Sequence, residues 1–296
     1  MDKVVLTSGC SFTSQLHPND GGPWNRPKFN IECPTWSDYL YEDGHDVINI
    51  AFPTNANTSI TRGLICKGHE LVKQGKKVSI IAQFTMAVRS EIFISSKESS
   101  DFDYYLPKKF GGKHEFSWNL NNWKESDFRD HFWILTGGNL GDDPFDNEYI
   151  VHKIKRWAKY FYNRESQVLN TIERIFDLQT FCKKYDIPLK IFFLDGKDWD
   201  VENFYHHDFQ QTRLYENLID WNSIWFHDLK KDILLEPYGM WGERSITKTK
   251  YGGMEEWMHD VIDSDIMRYK DIDDSHPSDF AHRKFVDEVI YKWNVL

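Results

Sequence analysis

Two short polar segments near opposite ends of this chain contain residue types that together can activate a hydroxyl group. Gly9-Cys10-Ser11 follows an apolar run, and Asp273-x-x-His276-Pro277 precedes the last helical pattern. A serine hydroxyl is a weak nucleophile unless an imidazole within hydrogen-bonding reach accepts its proton. An acid beside the imidazole orients the ring and stabilises its charged form. Ser11, His276 and Asp273 are therefore candidates for nucleophile, base and orienting acid.

Each segment also has a purely structural interpretation. Ser11 and Thr13 are residue types that cap a helix following a strand. The segment from Asp273 to Pro277 is typical of an acidic loop that leads into a helix cap. The spacing of these residues does not separate the two interpretations. Chemistry requires in addition that the fold bring the two ends of the chain together.

The elements that would position these residues are predicted from hydrophobic patterning. Buried strands are predicted at 3–7, 46–51, 77–84, 189–194 and 223–227, and helices at 34–41, 57–74, 154–185 and 278–293. Ser278 is expected to cap the last helix. Continuous apolar runs are typical of strands that are covered on both faces, as in parallel sheets. Their alternation with helices predicts a doubly wound α/β sheet.

We predict a single domain over residues 1–296 that carries three insertions rich in aromatic residues. These lie at about 95–147, 196–221 and 236–270, and the last two are expected to be irregular. Loops of this length inside a compact domain are usually functional or mobile. The insertion at 95–147 is a candidate lid or surface for a protein partner.

Composition excludes several classes of function. The formal net charge of −10 argues against a nucleic-acid binder, because no basic field attracts phosphates. The 4 cysteines have no CxxC or His-rich spacing, so we expect reduced thiols and no metal site. We expect neither a signal peptide nor a membrane-spanning segment, which favours a cytoplasmic location.

Taken together, the two end motifs resemble those of the SGNH (GDSL-like) hydrolase family. That family carries its nucleophile in a Gly-x-Ser-like turn and ends in an Asp-x-x-His-Pro block, matched here by Gly9-Cys10-Ser11 and Asp273–Pro277. The resemblance implies a three-layer, flavodoxin-like fold with a mostly parallel sheet of five strands. It also implies that Ser11, His276 and Asp273 form a catalytic triad that needs no cofactor.

The two middle blocks of the family depart from its usual pattern in this chain. The family places a glycine after the second strand and an asparagine after the third, and both donate hydrogen bonds to the oxyanion. The segment Pro53-Thr54-Asn55-Ala56-Asn57 resembles the Pro-Gly-x-x-Asn version of the family's second block. Thr54 stands at its glycine position, and Asn57 matches its asparagine. After the third strand, the usual asparagine is missing. The resemblance implies an oxyanion hole built from Ser11, Thr54, Asn57 and Thr85, with Gln83 as an alternative to Thr85.

Gln83 and Arg89, at and beyond the end of the third strand, are expected to contact the substrate. Arg89 would position an anionic group of the substrate, or would instead pair with Glu91 on a solvated edge. The first functional hypothesis is an esterase or deacetylase that cleaves an O-acyl ester, on a small-molecule or glycan substrate. Two alternatives stay open: an acyltransferase with the same triad, and a binding or structural module that keeps the fold with a weakened site.

Overall fold

The computed structural model describes residues 3–13, 34–51, 55–85, 87, 89–95, 131–136, 156, 160, 164–194, 215, 217–228, 233–235, 245–247, 251–268 and 276–296. At its centre is a sheet of five parallel strands: β1 (Lys3–Ser8), β2 (Asp46–Asn49), β3 (Lys77–Phe84), β6 (Leu189–Phe193) and β7 (Ile224–Trp225). The strand order is β2-β1-β3-β6-β7. The predicted doubly wound parallel sheet is confirmed, and each of its strands overlaps a predicted one.

Side chains of the central strands alternate between two hydrophobic cores, one on each face of the sheet. In β1, Val4 and Leu6 belong to one core, called the first core, and Val5 belongs to the other, the second core. In β6, Ile191 and Phe193 face the first core and Phe192 faces the second. Both faces of a parallel sheet are therefore covered, which explains why consecutive residues of these strands are often apolar rather than alternately apolar and polar.

Helices cover both faces and form the outer layers of the three-layer fold. The first core is closed by α2 (Asn57–Lys73) and α3 (Arg164–Tyr185), and the second by α1 (Trp36–Glu42), α4 (Met254–Val261) and α6 (Asp279–Glu288). A short helix, α5 (Ser264–Met267), lies between the last two. Within the described chain, no helix combines the length and the hydropathy needed to cross a bilayer.

The segment at 236–270 corrects one prediction. Its described part, 251–268, is regular structure, in which Met254 and Met258 on α4 are fully buried in the second core. The prediction of an irregular loop was wrong because α4 is only 8 residues long, too short for its apolar stripe to stand out among the acidic residues beside it. The last helix also ends earlier than predicted and is followed by a 3₁₀ turn, Ile290–Lys292.

The other predicted insertions lie largely outside the described residues. β4 (Ser90–Ser95) leads into the predicted insertion at 95–147, and β5 (His131–Thr136) lies within it. The two strands form an antiparallel pair. Three short strands, β8 (His227–Asp228), β9 (Ile233–Leu235) and β10 (Ser245–Thr247), follow β7. A further one, β11 (Tyr251–Gly252), pairs with β8 just before α4.

An ionic cluster on the surface joins α6 to the end of α1. Arg283 Nη1 donates to both carboxylate oxygens of Asp43 at 2.8 Å, and Tyr291 also donates to Asp43. The hydrogen bond from Arg283 holds the pKa of Asp43 below its usual range. Burial, followed by the bond to Asp43, raises the pKa of Tyr291 to about 12. Exposed pairs of this kind contribute little stability each.

Candidate functional site

Ser11 lies in a tight turn directly beyond the carboxyl end of β1. Thr13 N donates to Cys10 O at 3.0 Å, which closes the turn. The neighbours of β1 in the sheet are β2 and β3, reached through helices on opposite faces, so the winding direction reverses here. Such switch points, at the carboxyl ends of parallel strands, are where open α/β sheets bind ligands.

The turn approaches β3 so closely that position 9 has no room for a side chain. A Cβ atom on Gly9 would lie 2.3 Å from Thr13 Oγ1 and 2.8 Å from Gln83 Oε1. A further contact, to Gln83 Cβ, would be 2.9 Å. All these atoms belong to buried side chains, so they have little space to move away. Glycine is therefore required here by a close approach between chain segments.

Gly9→Ala is accordingly expected to destabilise the protein by at least about 2 kcal/mol, in the range of core overpacking. Urea denaturation followed by circular dichroism measures the effect. Gly63→Ala is the matched control, because Gly63 lies in α2 and its nearest obstacle is Ile50 Cδ1 at 3.2 Å. We expect this control to be neutral or stabilising. A Gly9→Ala protein as stable as the wild type would contradict the proposed crowding.

Polar side chains from neighbouring segments hold both ends of the turn. Asn55 Nδ2 donates to Gly9 O at 3.2 Å, and Asn49 Nδ2 donates to Thr13 O at 2.6 Å. Trp36 Nε1 donates to Thr13 Oγ1 at 3.1 Å. The backbone around Ser11 is thus anchored to β2, to the start of α2 and to α1. Such anchoring preorganises a nucleophile, since its position no longer depends on a mobile loop.

Gln83 contacts the turn from β3 rather than facing a substrate, which corrects its predicted role. Its side chain is fully buried, and its Oε1 accepts from Thr13 Oγ1 at 2.7 Å. Cys10 Sγ lies 3.5 Å from the same oxygen. On the other side, Gln83 Nε2 contacts Met254 Sδ at 3.9 Å. Because these contacts engage both ends of its amide, Gln83 joins β3 to the turn.

His276 is held by backbone and side-chain contacts on its carboxyl side. The backbone of Pro277 forms an antiparallel bridge with Arg268, and Ser278 N donates to Met267 O at 2.8 Å. Ser278 Oγ donates to Ile266 O at 2.6 Å and accepts from Ala281 N at 3.2 Å. The predicted N-cap at Ser278 is therefore confirmed. The start of α6 and the end of α5 together fix the backbone next to His276.

The structure brings Ser11 and His276 together although they are 265 residues apart in sequence. Ser11 Oγ lies 2.7 Å from His276 Nε2. Both residues are buried, with exposed fractions of 8% and 4%, and the Phe12 ring packs 4.9 Å from the imidazole. With the ring proton on Nδ1, Nε2 accepts from the serine hydroxyl. This is the geometry that general-base activation of a serine requires. Asp273 lies outside the described residues.

The predicted oxyanion residues are only partly brought to the site. Asn57 is the first residue of α2, and its Nδ2 donates to Thr85 O at 3.0 Å and to Thr171 Oγ1 at 3.2 Å. Its Oδ1 accepts from Thr85 N at 2.8 Å. The Asn57 amide is thus engaged in holding the end of β3 against α2 and α3. This arrangement corrects the expectation that it faces an oxyanion, while Thr54 lies outside the described residues.

Two polar side chains beyond β3 have buried atoms without hydrogen-bond partners. Thr85 is 1% exposed, and its Oγ1 has no partner in the described part of the chain. Arg89 is partly buried, and its Nε and Nη1 atoms likewise have no hydrogen-bond partner among the described residues. Buried polar atoms are normally paired, so these are candidates to donate to a bound molecule. Both positions were predicted as site residues, and their roles stay predictions.

Sequence reasoning missed the residues that support the turn and His276. The side chains of Asn49 and Asn55 were not predicted to hold the turn, although polar residues at the carboxyl ends of parallel strands meet at one edge of the sheet. Arg268 gave no signal, because its bridge to Pro277 depends on how α5 and α6 meet. Among the described residues, no group of three or more His, Cys, Asp or Glu side chains is arranged to hold a metal ion.

Comparison of the chain with protein-family models, curated proteins and solved structures finds no match in any of the three.

Proposed function

We propose that this protein is a serine esterase of the SGNH type that cleaves O-acyl esters through an acyl-enzyme intermediate. The observation that carries the proposal is the 2.7 Å contact between Ser11 Oγ and His276 Nε2 at the carboxyl edge of the sheet. Support also comes from the strand order, which is that of a flavodoxin-like sheet with its switch point between β1 and β3.

In the proposed reaction, His276 Nε2 takes the hydroxyl proton while Ser11 Oγ attacks the acyl carbonyl carbon. The tetrahedral intermediate collapses, the ester bond to the leaving alcohol breaks, and the alcohol leaves with the proton from His276. A water molecule then gives its proton to His276 and attacks the acyl-serine, which releases a carboxylic acid and restores Ser11. Asp273 is proposed to orient the imidazole.

The oxyanion of this intermediate needs donors that differ from those of the family pattern. We propose the backbone N–H of Ser11 and the hydroxyl of Thr85, together with the segment containing Thr54. The unpartnered Oγ1 of Thr85 supports its inclusion. One such donor is typically worth about 3–4 kcal/mol in the transition state, so its identity decides how fast the enzyme is.

For the substrate we propose a neutral or weakly anionic carbohydrate-like ester. Aromatic residues make up 16% of the chain, with 12 tryptophans, and aromatic rings stack on the apolar faces of sugars. The partly buried guanidinium of Arg89 is proposed to bind an anionic group of such a substrate.

We propose a cytoplasmic location for the protein, where free thiols such as Cys10 and Cys182 stay reduced.

A binding module is the second candidate, favoured by a specific observation. The Asn57 amide is engaged with Thr85 and Thr171, which removes one of the oxyanion donors expected for an esterase in this chain. Such a module would still bind an ester or glycan at the carboxyl edge of the sheet without cleaving it. An acyltransferase differs only in the acceptor that attacks the acyl-serine.

Labelling of the wild-type protein with a fluorophosphonate separates the enzyme from the binding module. The serine oxygen of an activated site displaces fluoride from phosphorus, and mass spectrometry of the peptides identifies the modified residue. We expect modification at Ser11, together with hydrolysis of an aryl acetate. Heat-denatured protein is the control and should not be labelled. An unlabelled native protein would contradict the proposed esterase.

A further inference from the structure

A partly buried ion pair, one member of which bridges to the residue after His276, has no part in the reaction described above. Glu255, in the first turn of α4, is 1% exposed, and its Oε2 accepts from Arg268 Nη2 at 3.1 Å. His259 Nε2 lies 4.0 Å from the same oxygen, one turn further along α4. Burying a carboxylate costs free energy unless an opposite charge is nearby, and the guanidinium of Arg268 supplies that charge.

The pair connects the sheet to the segment that carries His276. Glu255 N donates to Leu194 O at 2.9 Å, so α4 begins at the carboxyl end of β6. At the other end, the backbone of Arg268 bridges to Pro277, the residue directly after His276. The side chain of Arg268 therefore ties this bridge to the sheet edge at which Ser11 lies.

We propose that Glu255 and Arg268 are positioning residues that set the distance between His276 and Ser11. This inference rests on the proposed function of the Ser11–His276 pair. Neither side chain touches the reacting atoms. The ion pair acts through the backbone of Arg268 and Pro277, and it holds the imidazole where Nε2 meets the serine hydroxyl. Small displacements matter at this point, because a shift of about 1 Å at a reacting group can cost on the order of 100-fold in rate.

An ion pair suits this task better than apolar packing does. Hydrophobic contacts tolerate sliding, whereas a hydrogen bond between charged groups fixes direction and distance. Glu255 lies in the first turn of α4, where the helix dipole favours negative charge, and its carboxylate accepts from Arg268 Nη2. The position of the Arg268 guanidinium is thereby defined by a rigid helix end.

The test compares fluorophosphonate labelling of Arg268→Met, Arg268→Lys and Glu255→Gln with that of the wild type. The maximal labelling rate reports the chemical step, and the half-saturating probe concentration reports probe binding. We expect Arg268→Met to lower the maximal rate by about tenfold or more with probe binding within twofold of the wild type. Arg268→Lys should recover most of the rate, and Glu255→Gln should lie between the two.

Arg283→Met is the matched control. Arg283 also joins its helix to an acid in another element, since its Nη1 lies 2.8 Å from Asp43 at the end of α1. We expect this variant to lose some thermal stability and to keep the wild-type labelling rate. A maximal rate for Arg268→Met within twofold of the wild type would overturn the proposal, and so would an equal fall in Arg283→Met. If Arg268→Met does not fold, Glu255→Gln, which keeps the side-chain shape, decides the question by the same criterion.

Failure of the proposed function gives a different result. In that case the wild type itself is not labelled, and the positioning role is judged from the ring ¹⁵N resonances of His276. We expect these resonances to shift or broaden in Arg268→Met and to stay unchanged in Arg283→Met. Unchanged resonances in both variants would overturn the positioning role.

Discussion

Replacing Ser11 with alanine is expected to abolish fluorophosphonate labelling and to lower aryl acetate hydrolysis by a factor on the order of 10⁴ or more. The substitution removes the oxygen that would form the acyl bond, so no residual covalent route remains. The protein should still fold, because the hydroxyl contacts His276 rather than the turn's structural network. Thermal unfolding monitored by circular dichroism checks this point, and labelled protein is measured by in-gel fluorescence.

Ser8→Ala is the matched control for this prediction. Ser8 lies three residues earlier and is more deeply buried than Ser11, and its Oγ makes a long bond of 3.5 Å to Ile50 O. We expect Ser8→Ala to label at the wild-type rate. Hydrolysis that persists unchanged in Ser11→Ala would exclude an acyl-enzyme mechanism at this site. Loss of activity in both variants would indicate a general disturbance of the turn.

His276→Ala is expected to lower the labelling rate by about 10³-fold or more, since the serine proton then has no acceptor. The substitution leaves a buried space beside Ser11 Oγ, next to the ring of Phe12. Added imidazole should enter this space and restore part of the rate in proportion to its concentration. The measurement is the second-order labelling rate with and without imidazole at constant pH and ionic strength.

His282→Ala controls for the loss of a buried histidine from the same region. His282 lies on α6 and is 4% exposed, like His276. We expect it to lose stability but to keep a labelling rate close to that of the wild type, without stimulation by imidazole. Equal labelling of His276→Ala and wild type would show that the 2.7 Å contact has no catalytic consequence.

The sheet could be predicted from the sequence because its strands are buried on both faces. The run from Lys77 to Phe84 has consecutive apolar residues at its centre, and its predicted bounds match β3. Ser11 and His276 could be nominated because their residue types carry the chemistry and because each adjoins a predictable element. Their contact could not be derived from spacing, since it depends on how α6 packs against β1 and α1.

The supporting contacts were beyond prediction for a different reason. Gln83 was expected to meet the substrate because it stands near the carboxyl end of a strand. In the structure its side chain turns toward Thr13, because the absence of a side chain at Gly9 lets β3 and the turn lie close together. Asn57 was expected to serve an oxyanion, but it satisfies the backbone of Thr85. Which of several polar groups a buried amide meets is decided by tertiary packing.

The 265-residue separation between Ser11 and His276 has a consequence for protein synthesis. β1, which leads into the turn with Ser11, leaves the ribosome long before the segment with His276, and β2 and β3 pair with it directly. The partly made sheet can therefore display a serine long before its partner imidazole exists. Any chain that ends before His276 carries the hydroxyl without its proposed base, so the proposed activity would appear only after His276 has been made.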